Sequence, residues 1–296
     1  MTSNDFLPGS DGQPARRAGD YAQEKLAFLK AFMPPALSIA GRKPTRIYVD
    51  LFAGPGMNRT VDGSEFDGSP LLALEARATA RDSKPFTDAH FVNLESTSHD
   101  ALAARIARAQ HDGRSVVPAD RVRLHTGDAN VIGPQLLRAM PRAAYVLLFA
   151  DITGVKHWPW RSVEALRAAA PRSLDLYVLF PLEMTIERLL GIDRERAKRY
   201  EAHLDAFFGT DTWRAHYSKR VSSSQGAAFR TALIELYRAR LRSLWKDAIV
   251  ACAPGFSEDR ALYRMFFATS HPAAMRAAKW AHARPPGGQM RLSLLD

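Results

Sequence analysis

The chain has 296 residues, 46% hydrophobic and 24% charged, with 41 Lys and Arg against 31 Asp and Glu. That composition excludes a disordered, collagen-like or coiled-coil chain. The single cysteine, Cys252, excludes an internal disulfide framework and a multi-cysteine metal centre. No apolar run approaches the roughly 20 residues that cross a bilayer, so a cytoplasmic protein without a membrane span is expected.

Residues 1–20, MTSNDFLPGSDGQPARRAGD, lack the apolar core of a signal peptide. Their Gly, Pro, Ser and Asp content predicts a disordered tail. Residues 21–40 read as a helix, with Leu26, Leu29, Lys30 and Met33 near helical spacing, and Pro34-Pro35 should break or kink it. The run RIYVDLF at 46–52 is a buried strand that ends in the turn AGPG at 53–56. The unit then recurs. AHFVNLE at 89–95 is a strand, followed by a helix over 98–110 in which Leu102 and Ile106 share a face. RVRLHTG at 121–127 is a third strand, with a short helix near 132–140. AAYVLLFA at 143–150 is nearly all apolar, as a strand covered on both faces must be, and a helix near 160–170 follows. LDLYVLF at 174–180 is the fifth strand. Such alternation implies an α/β fold, with right-handed crossovers and a mostly parallel sheet covered by helices on both faces.

The pattern changes at 183–246, which is helical throughout; Leu233, Leu236, Tyr237, Leu241 and Leu244 form one stripe. Residues 247–253 and 261–270 read as two closing strands, with Pro254 and Gly255 between them. The expected organisation is a tail at 1–20, a core at 21–182, a helical insertion at 183–246, and closing strands with a C-terminal helix at 247–296. Most of the net charge lies in one stretch, since residues 188–246 carry 13 Lys and Arg against 6 Asp and Glu. A clustered basic surface is a footprint for nucleic acid or another polyanion, or else a solvated helical face.

In an open parallel sheet, ligands bind outside the carboxyl ends of the strands. Those positions hold Asp50 with Phe52-Ala53-Gly54-Pro55-Gly56, Glu95, Asp128 with Asn130, Asp151 with Gly154, and Pro181. Glycines after the first strand let backbone approach a ligand. An acid at the end of the second strand can accept both hydroxyls of a ribose. Asp128 and Asn130 could bond the amino edge of an adenine, or cap the next helix. No Gly-Lys-Ser/Thr follows the turn and no GxGxxG is present, so the pyrophosphate-cradling patterns are missing. A ligand with ribose and adenine but no pyrophosphate fits, and S-adenosylmethionine is such a ligand. A plain strand-to-helix connection at AGPG and a solvated acid at Glu95 are the structural alternatives. Neither an HExxH metal motif nor a GxSxG elbow occurs, and no metal is expected.

These residues carry a resemblance. YVDLFAGPG at 48–56, GSPLLALE at 68–75, GDAN at 127–130, LLFADITG at 147–154, FFGTDTWR at 207–214 and ALYRMFFATSHP at 261–272 resemble, in order, the three-Cys-motif partner proteins (TcmP). That bacterial family is similar to the class I methyltransferases. The resemblance implies a Rossmann-like methyltransferase fold, an S-adenosylmethionine site, and a partner protein that bears the three cysteines. The chain departs from the family after the fourth strand, where Asp151-Ile152-Thr153-Gly154 replaces the usual Asp-Pro-aromatic-Gly. Trp158 and Trp160 follow closely and could supply the missing stacking surface, or pack onto the sheet. His157 could act as a general base. His271-Pro272 reads as a cap for the final helix.

The expected roles follow. Asp50, Phe52, Ala53, Gly54, Pro55, Gly56, Glu95, Asp128 and Asn130 hold the methyl donor. Asp151, Gly154 and His157 serve the transfer, with Asp151 accepting a hydrogen bond from the attacking amine. The acceptor is a nucleic acid or a partner-associated substrate. The competing expectation is a non-catalytic module that docks a three-Cys-motif protein or nucleic acid.

Overall fold

A computed structural model describes residues 5–19, 21–79, 84–152, 154–191, 194–223, 226–252 and 263–283. Two short strands, β1 (Phe6–Pro8) and β2 (Pro14–Arg17), precede the long helix α1 (Tyr21–Ile39). The β-branched run then gives β3 (Arg46–Asp50), buried at every position. β4 (Met57–Arg59), β5 (Glu65–Asp67) and α2 (Ser69–Glu75) follow the glycine turn. Next come β6 (Asp88–Asn93), α3 (Ser96–His111), β7 (Val122–Thr126), α4 (Ala129–Ala139), β8 (Tyr145–Ala150), α5 (Trp160–Ala169) and β9 (Ser173–Phe180). The insertion holds α6 (Glu187–Leu190), α7 (Arg194–Lys198), α8 (Glu201–Phe208), α9 (Trp213–Ser223) and α10 (Gly226–Leu244). β10 (Asp247–Cys252), β11 (Arg264–Thr269) and α11 (Pro272–His282) close the described chain.

Seven strands form the main sheet in the order β10-β11-β9-β8-β3-β6-β7. Neighbours from β7 to β9 are parallel, and β11 runs antiparallel to both β9 and β10. Strand order runs outward from β3 in both directions, so the winding reverses between β3 and β8 and opens a crevice at their carboxyl ends. This is the expected Rossmann-like α/β fold, with the helical insertion ahead of the last strand pair.

Two local expectations differ from the structure. Residues 6–17 are not a disordered tail. They form a hairpin whose second strand pairs in parallel with β4, giving a small sheet β1-β2-β4-β5. Arg105 of α3 holds it there: the guanidinium donates to Asp11 Oδ2 at 2.8 Å, Asp11 Oδ1 at 2.9 Å and the Pro14 carbonyl at 2.9 Å. A buried charge pair, rather than apolar residues, orders this segment, and composition does not reveal it. The strands β4 and β5 are likewise short and polar. Finally, Pro34 and Pro35 lie inside α1 without ending it. Phe32, Met33, Ala36 and Leu37 stay buried across the pair, and Ser38 Oγ donates to the Pro34 carbonyl at 3.0 Å. Residues 1–4 and 20 of the expected tail, Thr153, Pro254, Gly255 and residues 284–296 lie outside the described residues.

The insertion packs onto the sheet through aromatics. Tyr237 of α10 is fully buried and stacks on Phe207 of α8 at 5.3 Å and 12°. It also packs against Phe180 at the end of β9, at 4.9 Å, and its hydroxyl accepts from Trp158 Nε1 at 3.2 Å. Trp158 and Trp160 are fully buried, so they are core residues and not a stacking surface for a ligand.

Candidate functional site

The first βα turn is shaped from behind by Asp50. Its carboxylate accepts from Ser69 Oγ at 2.6 Å, the Phe52 amide at 3.1 Å and the Tyr48 hydroxyl at 3.4 Å. Burial above all, with the nearby Asp151 adding to it, pushes this carboxyl up to about 7 against the hydrogen bonds from Ser69 and Phe52. Asp50 is completely buried and lines neither cavity described below. Its hydrogen bonds place it behind the turn, between Tyr48, Phe52 and Ser69.

The turn itself needs its glycines. Gly54 and Gly56 have φ of +65° and +84°, a region that side chains disfavour. A Cβ on Gly56 would also lie 2.8 Å from Leu102 Cδ1 of α3. Asn93, at the end of β6, donates from Nδ2 to the Gly54 carbonyl at 3.0 Å, and Arg105 donates to the Pro55 carbonyl at 2.7 Å. The turn is thus fixed by its neighbouring strand, by α3 and by Ser69 of α2.

A cavity of about 260 Å³ opens at the carboxyl ends of β3, β6 and β7. Gly54, Glu95, Asp128 and Asn130 line it together, with the exposed Leu94 as an apolar wall. Asp128 caps α4, accepting from the Asn130 amide at 2.9 Å. Its Oδ1 also accepts from Asn130 Nδ2 at 2.8 Å, and Nδ2 donates again to the His157 carbonyl at 3.2 Å. Both partners of Nδ2 are acceptors, so the amide cannot be reversed. Its oxygen, Oδ1, is left buried without a hydrogen-bond partner. An orphaned acceptor in a cavity-lining residue fits a ligand that brings an N–H donor.

A second, smaller cavity of about 30 Å³ adjoins the first, sharing Arg16, Phe52 and Gly54. Ala53, Pro55, Gly56, Ser69, Lys25 and Asp151 also line it. Lys25, on α1 and 8% exposed, forms an ion pair with Asp151. The carboxylate expected to receive an attacking amine is therefore already engaged. His157 lies in the larger cavity and Asp151 in the smaller, so the structure does not gather them at one centre. Gly154 lines neither of the two cavities. His271 occupies the N-cap position of α11, ahead of Pro272, and its side chain makes no capping hydrogen bond.

Arg16, Lys25, Asn93 and Ser69 are site residues that the strand-end rule does not find. Asn93 has a visible signal, a polar side chain interrupting the apolar segment FVNL at 91–94. Lys25 and Arg16 have none, because each comes from a segment remote in sequence.

Among the described residues, seven of the 13 basic side chains at 188–246 are ion-paired, three of the partners lying outside that stretch. Lys198 pairs with Glu195, Arg214 with Glu201 and Asp205, Arg220 and Arg230 with Glu187, and Arg238 with Glu235. Arg240 pairs with Glu164 and Arg242 with Asp247. Among the described residues, no three His, Cys, Asp or Glu side chains are grouped to hold a metal ion, and no helix is long and apolar enough to cross a membrane.

No family model and no curated protein sequence matches the chain. Solved structures similar to it include a Legionella pneumophila protein at 11% identity and a TM-score of 0.47, covering 86% of this chain and 87% of that one. A spermidine synthase in complex with the transition-state analogue AdoDATO has 10% identity and a TM-score of 0.45, covering 95% and 70%. The O-methyltransferase TomG from Streptomyces achromogenes, in complex with SAM, has 14% identity and a TM-score of 0.43, covering 86% and 82%.

Proposed function

We propose that the chain is a methyltransferase that uses S-adenosylmethionine. The observation that carries this reading is the shared cavity: Gly54, Glu95, Asp128 and Asn130 meet in it, and the buried Oδ1 of Asn130 awaits a donor. Glu95 would accept the ribose hydroxyls, Asn130 Oδ1 the adenine amino group, and Leu94 would cover a face of the base. The turn at Gly54 and Gly56 would let backbone lie against the donor where a side chain would intrude. Bound there, the donor supplies a methyl group on a sulfonium, which needs no further activation. The chain's own contribution is alignment and exclusion of water, which for well-oriented groups lowers a barrier by roughly 7–11 kcal/mol.

Calorimetric titration with S-adenosylhomocysteine tests the reading. Binding is expected, and Glu95→Ala should weaken it by about 1–3 kcal/mol, through loss of the acceptor for the ribose hydroxyls. No heat at millimolar ligand overturns the reading, and an unchanged affinity in the variant removes Glu95 from it.

One observation favours a second reading. The Lys25–Asp151 ion pair occupies the carboxylate that transfer to an amine would use. A module that keeps the donor site and has lost the chemistry, docking a three-Cys-motif protein, is consistent with that pair. Binding of S-adenosylhomocysteine without turnover of any acceptor would support it.

A further inference from the structure

Arg16 stands where the two cavities meet, lining both. It comes from the amino-terminal hairpin and is held in register opposite Asn58 of β4. The hairpin is itself fixed by the Asp11–Arg105 pair and by the Ala18 amide, which donates to the Arg59 carbonyl at 2.9 Å. The arginine is half-buried, yet among the described residues it makes no ion pair or side-chain hydrogen bond. Among the described residues lining the smaller cavity, the other cation, Lys25, is neutralised by Asp151. A guanidinium withdrawn partly from water, fixed in place and without a counter-charge is a prepared anion site.

We infer that Arg16 binds the carboxylate of the methyl donor's amino-acid portion, so that the amino-terminal hairpin is part of the donor site. The inference rests on the methyltransferase reading and deepens it. With the nucleoside in the larger cavity, the ligand's remaining portion would extend past Phe52 and Gly54 into the smaller one, across Arg16. A carboxylate is the one anionic group that S-adenosylmethionine carries, and its two oxygens match the fork of a guanidinium. The role belongs to Arg16 because Lys25 has already spent its charge.

The test compares three probes on the full-length chain by calorimetry. S-adenosylhomocysteine carries the carboxylate, methylthioadenosine keeps the nucleoside thioether without it, and ADP carries phosphate instead. The wild-type chain should bind S-adenosylhomocysteine at least tenfold more tightly than either of the others. Arg16→Gln should lose about tenfold to a hundredfold in affinity for S-adenosylhomocysteine and stay within twofold for methylthioadenosine, while Arg16→Lys should recover part of the loss. A thermal melt of each variant separates lost binding from lost fold. Equal loss for both nucleosides, or none, overturns the role of Arg16. ADP bound most tightly, with Arg16 carrying the difference, makes the anion a phosphate and also overturns it. If neither nucleoside binds the wild-type chain, the methyltransferase reading itself falls.

Discussion

Asp50 shows how a single buried side chain can shape a turn from behind. Its carboxyl is raised to about 7 because it is wholly buried, so the folded chain holds a proton that the unfolded chain releases near 4. The sign follows: between pH 4 and 7 the unfolded state binds fewer protons, and this residue's contribution to stability falls as pH rises. Asp175, raised to about 6 by burial between the Tyr145 and Thr269 hydroxyls, acts in the same direction. His282, lowered to about 3 by burial, acts oppositely, costing stability as pH falls below its ordinary value of 6.5. Asp50→Asn isolates one of these contributions. Measured against wild type by urea unfolding at pH 5 and pH 7.5, the variant should gain on the order of 2 kcal/mol of relative stability over that interval. A difference that does not change with pH would show that Asp50 is ionised throughout.

At the scale of elements, the hairpin β1-β2 is the informative piece. It buries Ala15, but what fixes it is Arg105, which carries Asp11, two carbonyls of residues 13 and 14, and the Pro55 carbonyl of the glycine turn. Removing Arg105 leaves the partly buried Asp11 and three carbonyls without their donor, at a cost of about 1–3 kcal/mol. Arg105→Ala should therefore free the hairpin and speed tryptic cleavage after Arg16 and Arg17; an unchanged cleavage rate would refute the tether. The same hairpin marks where the sequence stops being readable. The five β/α units announce themselves through apolar runs and punctuating glycines, so Gly54, Glu95 and Asn130 could be placed at strand ends and do meet in one cavity. Residues 6–17 contain no such run, and their order comes from a charge 94 residues from Asp11, which no local pattern carries. Trp158 and Trp160 mislead for a related reason: an aromatic beside a turn reads the same whether it faces a ligand or, as here, Tyr237.

For the whole molecule, the strand order has a consequence for how the chain is made. β11 sits between β9 and β10 although it is synthesised after both, so β9 has no partner on one side until residue 264 has emerged. Seven of the eight residues of β9 are buried in the finished fold, which makes that waiting edge an apolar, unpaired template. A polypeptide terminated after Leu244 should consequently precipitate or be captured by chaperones, while the full chain stays dispersed, as light scattering of the two would show; a soluble, monodisperse fragment would contradict it. On the ribosome, the sheet is completed only when β11 has emerged, and nascent chains stalled short of that point carry a hazard that its pairing removes.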